Sequence, residues 1–418
     1  MKASKKNKFK NAELCTHCGY CLPACPTYRV LNDETHSPRG RVSIILALSR
    51  RELTADEAGA ALSTCLVCRA CHSACPVGVR PAKLALSVRN KSPIAAPLLS
   101  RLLHIITNSH TLTSYASSTI KWYQNSSLQG WLRGSRVLRI IPPLHRLESL
   151  IPALRNDPIP EFQPSMSQKK AKIKAALLCG CMARLFHPRV APSAANLLQL
   201  LDIEVTLMDG FGCCGAPFRE SGKRELFIKQ ARKTLDAFKN IAEVDMVICD
   251  TSVCMVTVRS YARALSTDKK YAAIAKIFSD KIQSMEILLA TGLPTVLPEG
   301  YNPPENSVTF HDHCQTQHGL GNKKEPRELL KIVAGSLSEL PRGDRCCGAG
   351  GDYMLRYPEL SHNIRKDKLA AIHESRAKTI VGSNSGCLLN IEAGLLQEKS
   401  SVQVRHLAEA LWQPLSKG

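Results

Sequence analysis

The chain has 418 residues, and 44% of them are hydrophobic, which is enough sequence for several domains with buried cores. Its formal charge is +21, but it carries no nucleic-acid-binding motif, so we do not expect a nucleic-acid partner. Its 18 cysteines occur in clusters and not in the short chain of a secreted disulfide scaffold. No signal peptide and no uncharged apolar run of about 18 residues is present. We therefore expect a cytoplasmic protein without a transmembrane helix.

A cysteine motif of fixed spacing follows a basic tail, residues 1–14, and occurs twice as C-x2-C-x2-C-x3-C-P. The first copy consists of Cys15, Cys18, Cys21 and Cys25 with Pro26, and the second of Cys65, Cys68, Cys71 and Cys75 with Pro76. This spacing is typical of proteins that bind two [4Fe–4S] clusters. Structural zinc fits less well, because zinc sites usually combine two short cysteine pairs.

The fourth cysteine of each motif is predicted to ligate the cluster of the other motif, because it is turned away from the first three. Cluster 1 would be held by Cys15, Cys18, Cys21 and Cys75, and cluster 2 by Cys65, Cys68, Cys71 and Cys25. This crossed ligation would tie the two segments together. It would also place the clusters close enough for electron transfer.

Two helices are predicted between the motifs. Residues 39–51 have helical periodicity after a plausible start at Ser37 and Pro38, and residues 54–64 would deliver Cys65. Three arginines lie near the motifs and could offset the negative charge of a thiolate-bound cluster, although an exposed surface role is an equal alternative: Arg39, Arg41 and Arg69.

The segment 91–165 is a basic connector that contains apolar and aromatic residues. From Val77 to Arg155 there is one acidic residue, Glu148, against eleven lysines and arginines. Such a segment can lie in an anionic membrane interface, or its helices can pack on a partner subunit or on the cluster domain. The prolines at 142–143, 158 and 160 indicate a linker before the next domain.

The remainder of the chain contains an internal repeat. The first copy has Cys181, Cys213, Cys214 and Cys254, and the second has Cys314, Cys346, Cys347 and Cys387. The spacings agree, with 32 residues from the first cysteine to the pair and 40 from the pair to the last. Short apolar segments at 175–178, 245–249, 308–310 and 378–382 predict strands, and the segments 191–201, 220–240, 324–333 and 359–375 predict helices. This alternation favours parallel sheets whose strands end near the cysteines.

The chemistry of the repeats stays open at this stage. Four cysteines per copy are enough for a further iron–sulfur centre or a zinc site, and a redox-active thiol pair or a vestigial site is an alternative. Gly215 and Gly348, which follow the paired cysteines, can supply a positive φ. Cys179 and Cys249 are expected to be small buried side chains, and His311 and His313 to be hydrogen-bonded residues more often than ligands.

Taken together, these motifs resemble the iron–sulfur subunits of glycolate oxidase, within the wider family of cysteine-rich CCG oxidoreductase subunits. The resemblance spans nearly the whole chain. It rests on CTHCGYCLPACPTY from Cys15, SPRGR from Ser37, CLVCRAC from Cys65, GCM from Gly180, CCGA from Cys213, CQTQHG from Cys314, CCGAGG from Cys346, PELS from Pro358, GC from Gly386 and VRHL from Val404.

The resemblance implies a complex in which separate FAD-containing dehydrogenase subunits oxidise a 2-hydroxy acid such as glycolate. This chain would carry the electrons toward quinone, peripherally on the cytoplasmic face of the inner membrane, without acting on the organic acid by itself. The chain has no dinucleotide-binding fingerprint of its own. Alternatives are the iron–sulfur subunit of a lactate or glycerol-3-phosphate dehydrogenase, or a heterodisulfide-reductase-like enzyme. Against the last, Thr251 and Asn384 stand where such relatives have a further cysteine.

The predicted fold is an α+β multidomain protein. A helical, ferredoxin-like dicluster domain at 1–90 is followed by the basic helical connector at 91–165. Two α/β cysteine-rich (CCG) domains with parallel sheets then occupy 166–299 and 300–418.

Overall fold

The computed structural model describes residues 9–134, 148, 151, 159–161, 173–304, 307–321 and 323–416. The first eight residues of the predicted basic tail and the predicted linker prolines Pro142, Pro143 and Pro158 lie outside the described residues.

Helices surround the two cysteine motifs. They are α1 Pro26–Leu31, α2 Pro38–Ser49, α3 Ala55–Leu62, α4 Ala70–Ser73 and α5 Pro81–Arg89, with a 3-10 turn at Glu34–His36. The predicted helices at 39–51 and 54–64 are confirmed as α2 and α3, with small differences at their ends. The fully buried side chains of Val42, Ile45, Leu62 and Val88 form the core between α2, α3 and α5. This core fixes the loop that begins at Cys65, directly after α3.

The starts of α2 and α3 follow from their sequences. The Ser37 hydroxyl accepts a hydrogen bond from the Gly40 N–H at 2.9 Å, and Pro38 suits the first turn, where an N–H would lack a partner. Thr54 and Glu57 form a reciprocal capping box at the start of α3.

Three helices follow the dicluster region: α6 Leu98–Asn108, α7 His110–Asn125 and α8 Ser127–Gly134. α6 and α7 pack against each other and on the short helix α9 Cys181–Phe186 of the first repeat. No helix of the described part of the chain is both long enough and apolar enough to cross a membrane.

Each repeat forms a four-stranded parallel sheet. The strands are β1 Ile173–Leu178, β2 Ile203–Leu207, β3 Met246–Cys249 and β4 Ile282–Ser284 in the first, and β5 Ser307–Phe310, β6 Ser336–Leu337, β7 Thr379–Gly382 and β8 Gln403–His406 in the second. The sheet orders β2-β1-β3-β4 and β6-β5-β7-β8 are equivalent. The predicted parallel α/β repeat is therefore confirmed, and β1, β3, β5 and β7 are the four strands predicted from apolar segments.

Helices cover both sheets. In the first repeat they are α9, α10 Val190–Gln199, α11 Ala216–Glu220, α12 Arg224–Lys239, α13 Ser252–Val258, α14 Tyr261–Ala264, α15 Ala272–Asp280 and α16 Met285–Val296. In the second they are α17 Glu325–Val333, α18 Tyr353–Arg356, α19 Pro358–Glu374, α20 Ser385–Gln397 and α21 Leu407–Leu415, with a π-helical turn at Thr316–Leu320.

The two repeats share one hydrophobic core. Leu177, Leu198 and Leu289 of the first repeat belong to the same buried cluster as Phe310 and Leu330 of the second. Across this core, helices of one repeat pack on helices of the other. α10 packs on α21, which follows the last strand of the second repeat, and α17 packs on α16, which follows the last strand of the first. The arrangement is that of a pseudo-twofold pair.

Arg89 joins the dicluster region to the first repeat. Its guanidinium is buried and donates hydrogen bonds to the carbonyls of Glu220 at 2.8 Å, Leu62 at 2.7 Å and Cys65 at 2.6 Å. The two backbones approach so closely that a Cβ at Gly222, whose φ is +79°, would lie 2.0 Å from the Arg89 carbonyl oxygen. Arg89 therefore satisfies buried carbonyls on both sides of this junction.

We expect Arg89→Met to destabilise the protein by about 3 kcal/mol, because it leaves several buried carbonyls without a donor. Chemical unfolding followed by circular dichroism measures the change. Arg50→Met is the control, since Arg50 is exposed and its 3.9 Å contact with Glu52 is worth less than about 1 kcal/mol. Equal stability of the two variants would contradict this role of Arg89.

Candidate metal centres

The first candidate centre is a cavity of about 370 Å³ lined by the first three cysteines of motif one and the last cysteine of motif two. These are Cys15, Cys18, Cys21 and Cys75, and Cys71 of motif two also lines the cavity. Burial, with further contributions from the thiolates of Cys15, Cys25 and Cys75, raises the pKa of Cys21 to about 11. The four sulfur-bearing side chains predicted to hold cluster 1 thus face one space.

The second candidate centre is a neighbouring cavity of about 330 Å³. Its cysteines are Cys25, Cys65, Cys68 and Cys71. Burial raises the pKa of Cys71 well above its ordinary value, and the nearby thiolates of Cys68, Cys65 and Cys25 add to the effect. This is the set predicted for cluster 2. Ligation itself remains a prediction, but the chain already brings the required side chains together.

The loops that carry the cysteines aim backbone N–H groups at sulfur. The Val67 N–H donates to Cys65 Sγ at 3.4 Å, and the Val79 N–H donates to Cys75 Sγ at 3.2 Å. Val67 has a φ of +56°, which is unfavourable for a β-branched side chain. Such strain is typical of functional loops, and here it points an amide toward a thiolate that a metal would hold.

Of the three arginines predicted to offset the charge of a cluster, Arg41 donates a hydrogen bond to a motif cysteine. Its side chain is 3% exposed and donates to Cys25 Sγ at 3.6 Å and to Thr27 Oγ1 at 2.9 Å. Arg39 instead pairs with Glu34 at 2.7 Å. Arg69 lines the second cavity. Sequence reasoning did not identify Thr27, whose position two residues after Cys25 is the only signal for it.

All eight cysteines of the repeats line one cavity of about 1080 Å³ between the two sheets. They are Cys181, Cys213, Cys214 and Cys254 from the first repeat, and Cys314, Cys346, Cys347 and Cys387 from the second. The first and last cysteines of each repeat follow the carboxyl ends of central strands: Cys181 follows β1, Cys254 follows β3, Cys314 follows β5 and Cys387 follows β7. Ligand groups usually lie at this end of a parallel sheet. Cys68 of the dicluster region lines the same cavity.

In the first repeat, hydrogen bonds link the cysteine side chains. Hydrogen bonding to Cys181 and Cys214, together with burial, raises the pKa of Cys213 well above its ordinary value. Hydrogen bonds from Cys213 and Cys254 lower the pKa of Cys214 well below its ordinary value. Gly215 has the predicted positive φ of +82°, and its N–H donates to Cys213 Sγ at 3.4 Å. The four side chains form one thiol cluster.

The second repeat adds a histidine to its cysteines. A ring nitrogen of His311 and the sulfurs of Cys347 and Cys387 all lie within 4.8 Å of one another. Gly348 has a φ of +79°, and a Cβ there would lie 2.5 Å from the Ser361 carbonyl oxygen. No other residue type would fit this bend without displacing that backbone.

Two cysteines lie outside this arrangement. Cys249 is 4% exposed at the end of β3, and Cys179 lies at the end of β1 beside Asp250. Neither lines the cavity between the sheets. Cys249 has the small buried role predicted for it, whereas Cys179 is only partly buried.

Comparison with known protein families agrees with this geometry. Residues 11–79 match a 4Fe-4S dicluster domain. Residues 175–259 and 308–392 each match the cysteine-rich domain called CCG. The first match spans both predicted cluster motifs, and the two CCG matches cover the first three strands of each repeat, β1 to β3 and β5 to β7.

The chain is also similar to curated proteins over almost its full length. It is 31% identical to the "Probable glycolate oxidase iron-sulfur subunit" of Bacillus subtilis over 425 residues, which covers 97% of this chain and 95% of that protein. It is 27% identical to the "Glycolate oxidase iron-sulfur subunit" of Escherichia coli, with 96% and 94% covered. "Lactate utilization protein A" of Bacillus velezensis is 29% identical but matches 57% of this chain. By motif, fold and full-length similarity, the chain belongs to the family of glycolate oxidase iron–sulfur subunits.

Proposed function

We propose that this chain holds two [4Fe–4S] clusters and transfers electrons from a partner FAD-containing dehydrogenase subunit toward a quinone. The partner would oxidise a 2-hydroxy acid such as glycolate. The observation that supports the proposal most strongly is the grouping of three cysteines of each motif with the fourth of the other. When bound, the clusters would supply one-electron redox chemistry, while the chain would position them.

The two cluster cavities adjoin each other. Cys71 lines both of them, so clusters in these cavities would be neighbours. Cys68 lines the second cavity and also the large cavity between the repeats. This order of cavities supports electron transfer from one centre to the next.

We expect a partner subunit to carry out the organic reaction, because this chain lacks the common cofactor-binding motifs. Its sequence has no dinucleotide-binding fingerprint and no phosphate-binding loop. Two relatives that match its full length are named as subunits of glycolate oxidase. Flavin chemistry would then be supplied by another polypeptide, and this chain would receive its electrons.

Glycolate is favoured over lactate because the similarity to the glycolate oxidase subunits covers 97% and 96% of the chain. The lactate-utilization relative matches 57%. A heterodisulfide-reductase-like role is disfavoured by Asn384, whose side chain accepts hydrogen bonds from the N–H groups of Gly386 and Cys387. Asn384 thus caps α20 where a further ligand would be needed.

The repeat cysteines are proposed as a further metal-binding region. Their eight thiols surround one cavity, and buried thiols of this density are typical of iron–sulfur or zinc sites. Both chemistries fit the donor set of the first repeat.

The complex can be tested directly by anaerobic co-purification. We expect a flavoprotein subunit to be retained by this chain, and glycolate to reduce the clusters of the complex but not those of the isolated chain. Reduction of the isolated chain by glycolate would contradict the proposed division of labour.

We predict about eight irons per chain from the dicluster region, because two [4Fe–4S] clusters contain four irons each. Metal analysis and sulfide determination on anaerobically purified protein provide the count. To separate this region from the repeats, the measurement should be repeated on a variant with Cys181, Cys254, Cys314 and Cys387 changed to serine. A residual content near four irons in that variant would rule out two clusters.

Crossed ligation predicts that Cys75→Ser impairs cluster 1, formed by motif one, and spares cluster 2. The reason is that Cys75 lines the cavity with Cys15, Cys18 and Cys21 although it belongs to motif two. Electron paramagnetic resonance of the reduced variant distinguishes the clusters. Cys249→Ser is the matched control, because Cys249 is buried but lies outside every candidate centre, and it should leave both signals intact. Loss of cluster 2 alone in Cys75→Ser would refute the crossing.

The connector helices present an apolar and basic surface that supports a membrane location. On α6, the buried side chains are polar, Ser100 and Thr107, whereas Leu98, Leu102 and Ile105 are 72%, 48% and 59% exposed. Because α6 exposes apolar side chains and buries polar ones, we infer that an apolar environment covers its exposed face. With no acidic residue between Val77 and Glu148, we propose that an anionic lipid surface is that environment.

We expect the protein to bind vesicles of anionic phospholipid and to bind neutral vesicles weakly. The double variant Leu102→Glu/Ile105→Glu should bind anionic vesicles at least about tenfold more weakly, since it loses two apolar contacts and gains repulsion. Vesicle co-sedimentation provides the measurement. Leu226→Glu/Leu396→Glu, which adds the same charge at exposed leucines of the repeats, should bind like the unmodified chain. Equal loss in both double variants would exclude the α6 surface as the contact.

A further inference from the structure

The two repeats differ at a buried position beside their cysteines. Equivalent cysteines are 133 residues apart, as Cys181 and Cys314 are. At this offset His311 stands where the first repeat has Leu178. Leu178 ends β1, and His311 directly follows β5. The second repeat therefore places an imidazole where the first has only a hydrocarbon side chain.

The imidazole of His311 lies near two thiols and against the ring of His313, with 4.6 Å between the two ring centroids. Its ring nitrogen and the sulfurs of Cys347 and Cys387 lie within 4.8 Å of one another. The side chain is 1% exposed, and neither ring nitrogen has a hydrogen-bond partner among the described residues. Buried polar atoms are nearly always paired, so an unpaired imidazole facing two thiols indicates an unassigned ligand between them.

The space for such a ligand is present. His311 lines a cavity of about 450 Å³ together with Cys347, Cys387, Cys314 and Cys346. Three donors that converge within this distance suit one metal ion better than a [4Fe–4S] cluster, which is ordinarily held by four thiolates.

The second repeat also supplies a buried positive charge. Lys368 is fully buried, and the equivalent residue of the first repeat is Leu235. The ammonium donates a hydrogen bond to the Gly343 carbonyl at 2.9 Å, so the second repeat carries a buried cationic side chain that the first repeat lacks.

We propose that the second repeat binds a single divalent cation of the zinc class through His311, Cys347 and Cys387, and that the first repeat lacks this site. Imidazole with thiolates is a ligand set that zinc prefers. Three protein ligands leave one coordination position, and Cys314 and Cys346 line the cavity around it. The proposal refines the metal-binding role proposed above for the repeats and rests on it.

The test uses the full chain, purified anaerobically with its clusters, and measures zinc and iron together. We expect about one zinc per chain, with a zinc X-ray absorption spectrum that shows both nitrogen and sulfur neighbours. His311→Leu, which introduces the residue of the first repeat, should lose the zinc while the dicluster iron stays unchanged. Cys387→Ser should do the same, and the control Cys249→Ser, which changes a buried cysteine outside every candidate centre, should keep its zinc.

The outcomes separate this site from the dicluster proposal. Zinc absent from the unmodified chain, a zinc spectrum without nitrogen, or full zinc occupancy in His311→Leu would overturn the site. The spectrum of the unmodified chain decides the matter even if a variant fails to fold. Zinc present in a chain without dicluster iron would instead refute the proposed electron-transfer function and leave the zinc site standing.

Discussion

Burial of thiol groups is the constraint on which the structure depends. Low-dielectric surroundings disfavour a thiolate, and burial raises the pKa of Cys71, Cys68 and Cys314 well above the ordinary value. The fold gathers 16 cysteine side chains into adjoining cavities, and burial makes the thiolate form unfavourable at those three. Bound metal removes the conflict, because it holds the deprotonated sulfur and offsets its charge. The folded chain and its metal centres should therefore stabilise each other.

The candidate centres are arranged in sequence across the molecule. Cys71 separates the two dicluster cavities, and Cys68 lies between the second of them and the cavity of the repeats. Arg89 holds the backbone at this junction by contacting both regions. The pseudo-twofold packing of the repeats then brings the carboxyl ends of both sheets to one cavity. This arrangement of the candidate centres supports the proposed electron transfer.

The sequence predicted most features that depend on local patterns. Both proposed dicluster ligand sets follow from the cysteine spacing, and the central strands of each sheet are short apolar segments. The edge strands were not predicted, because a strand such as Ile203–Leu207 alternates between buried and exposed side chains and Ser336–Leu337 is only two residues long. The single cavity shared by the repeats depends on packing between distant helices. The proximity of His311 to Cys347 and Cys387 could not be predicted, because the histidine is distant from both cysteines in the sequence.

The most direct test of the account is whether two clusters lie side by side in the dicluster region. Electron paramagnetic resonance of the fully reduced protein measures this, because two adjacent paramagnetic clusters split and broaden each other's signals. We predict a magnetically coupled spectrum from two clusters, retained when the repeat cysteines are replaced. A single uncoupled cluster signal in the fully reduced chain would contradict the account.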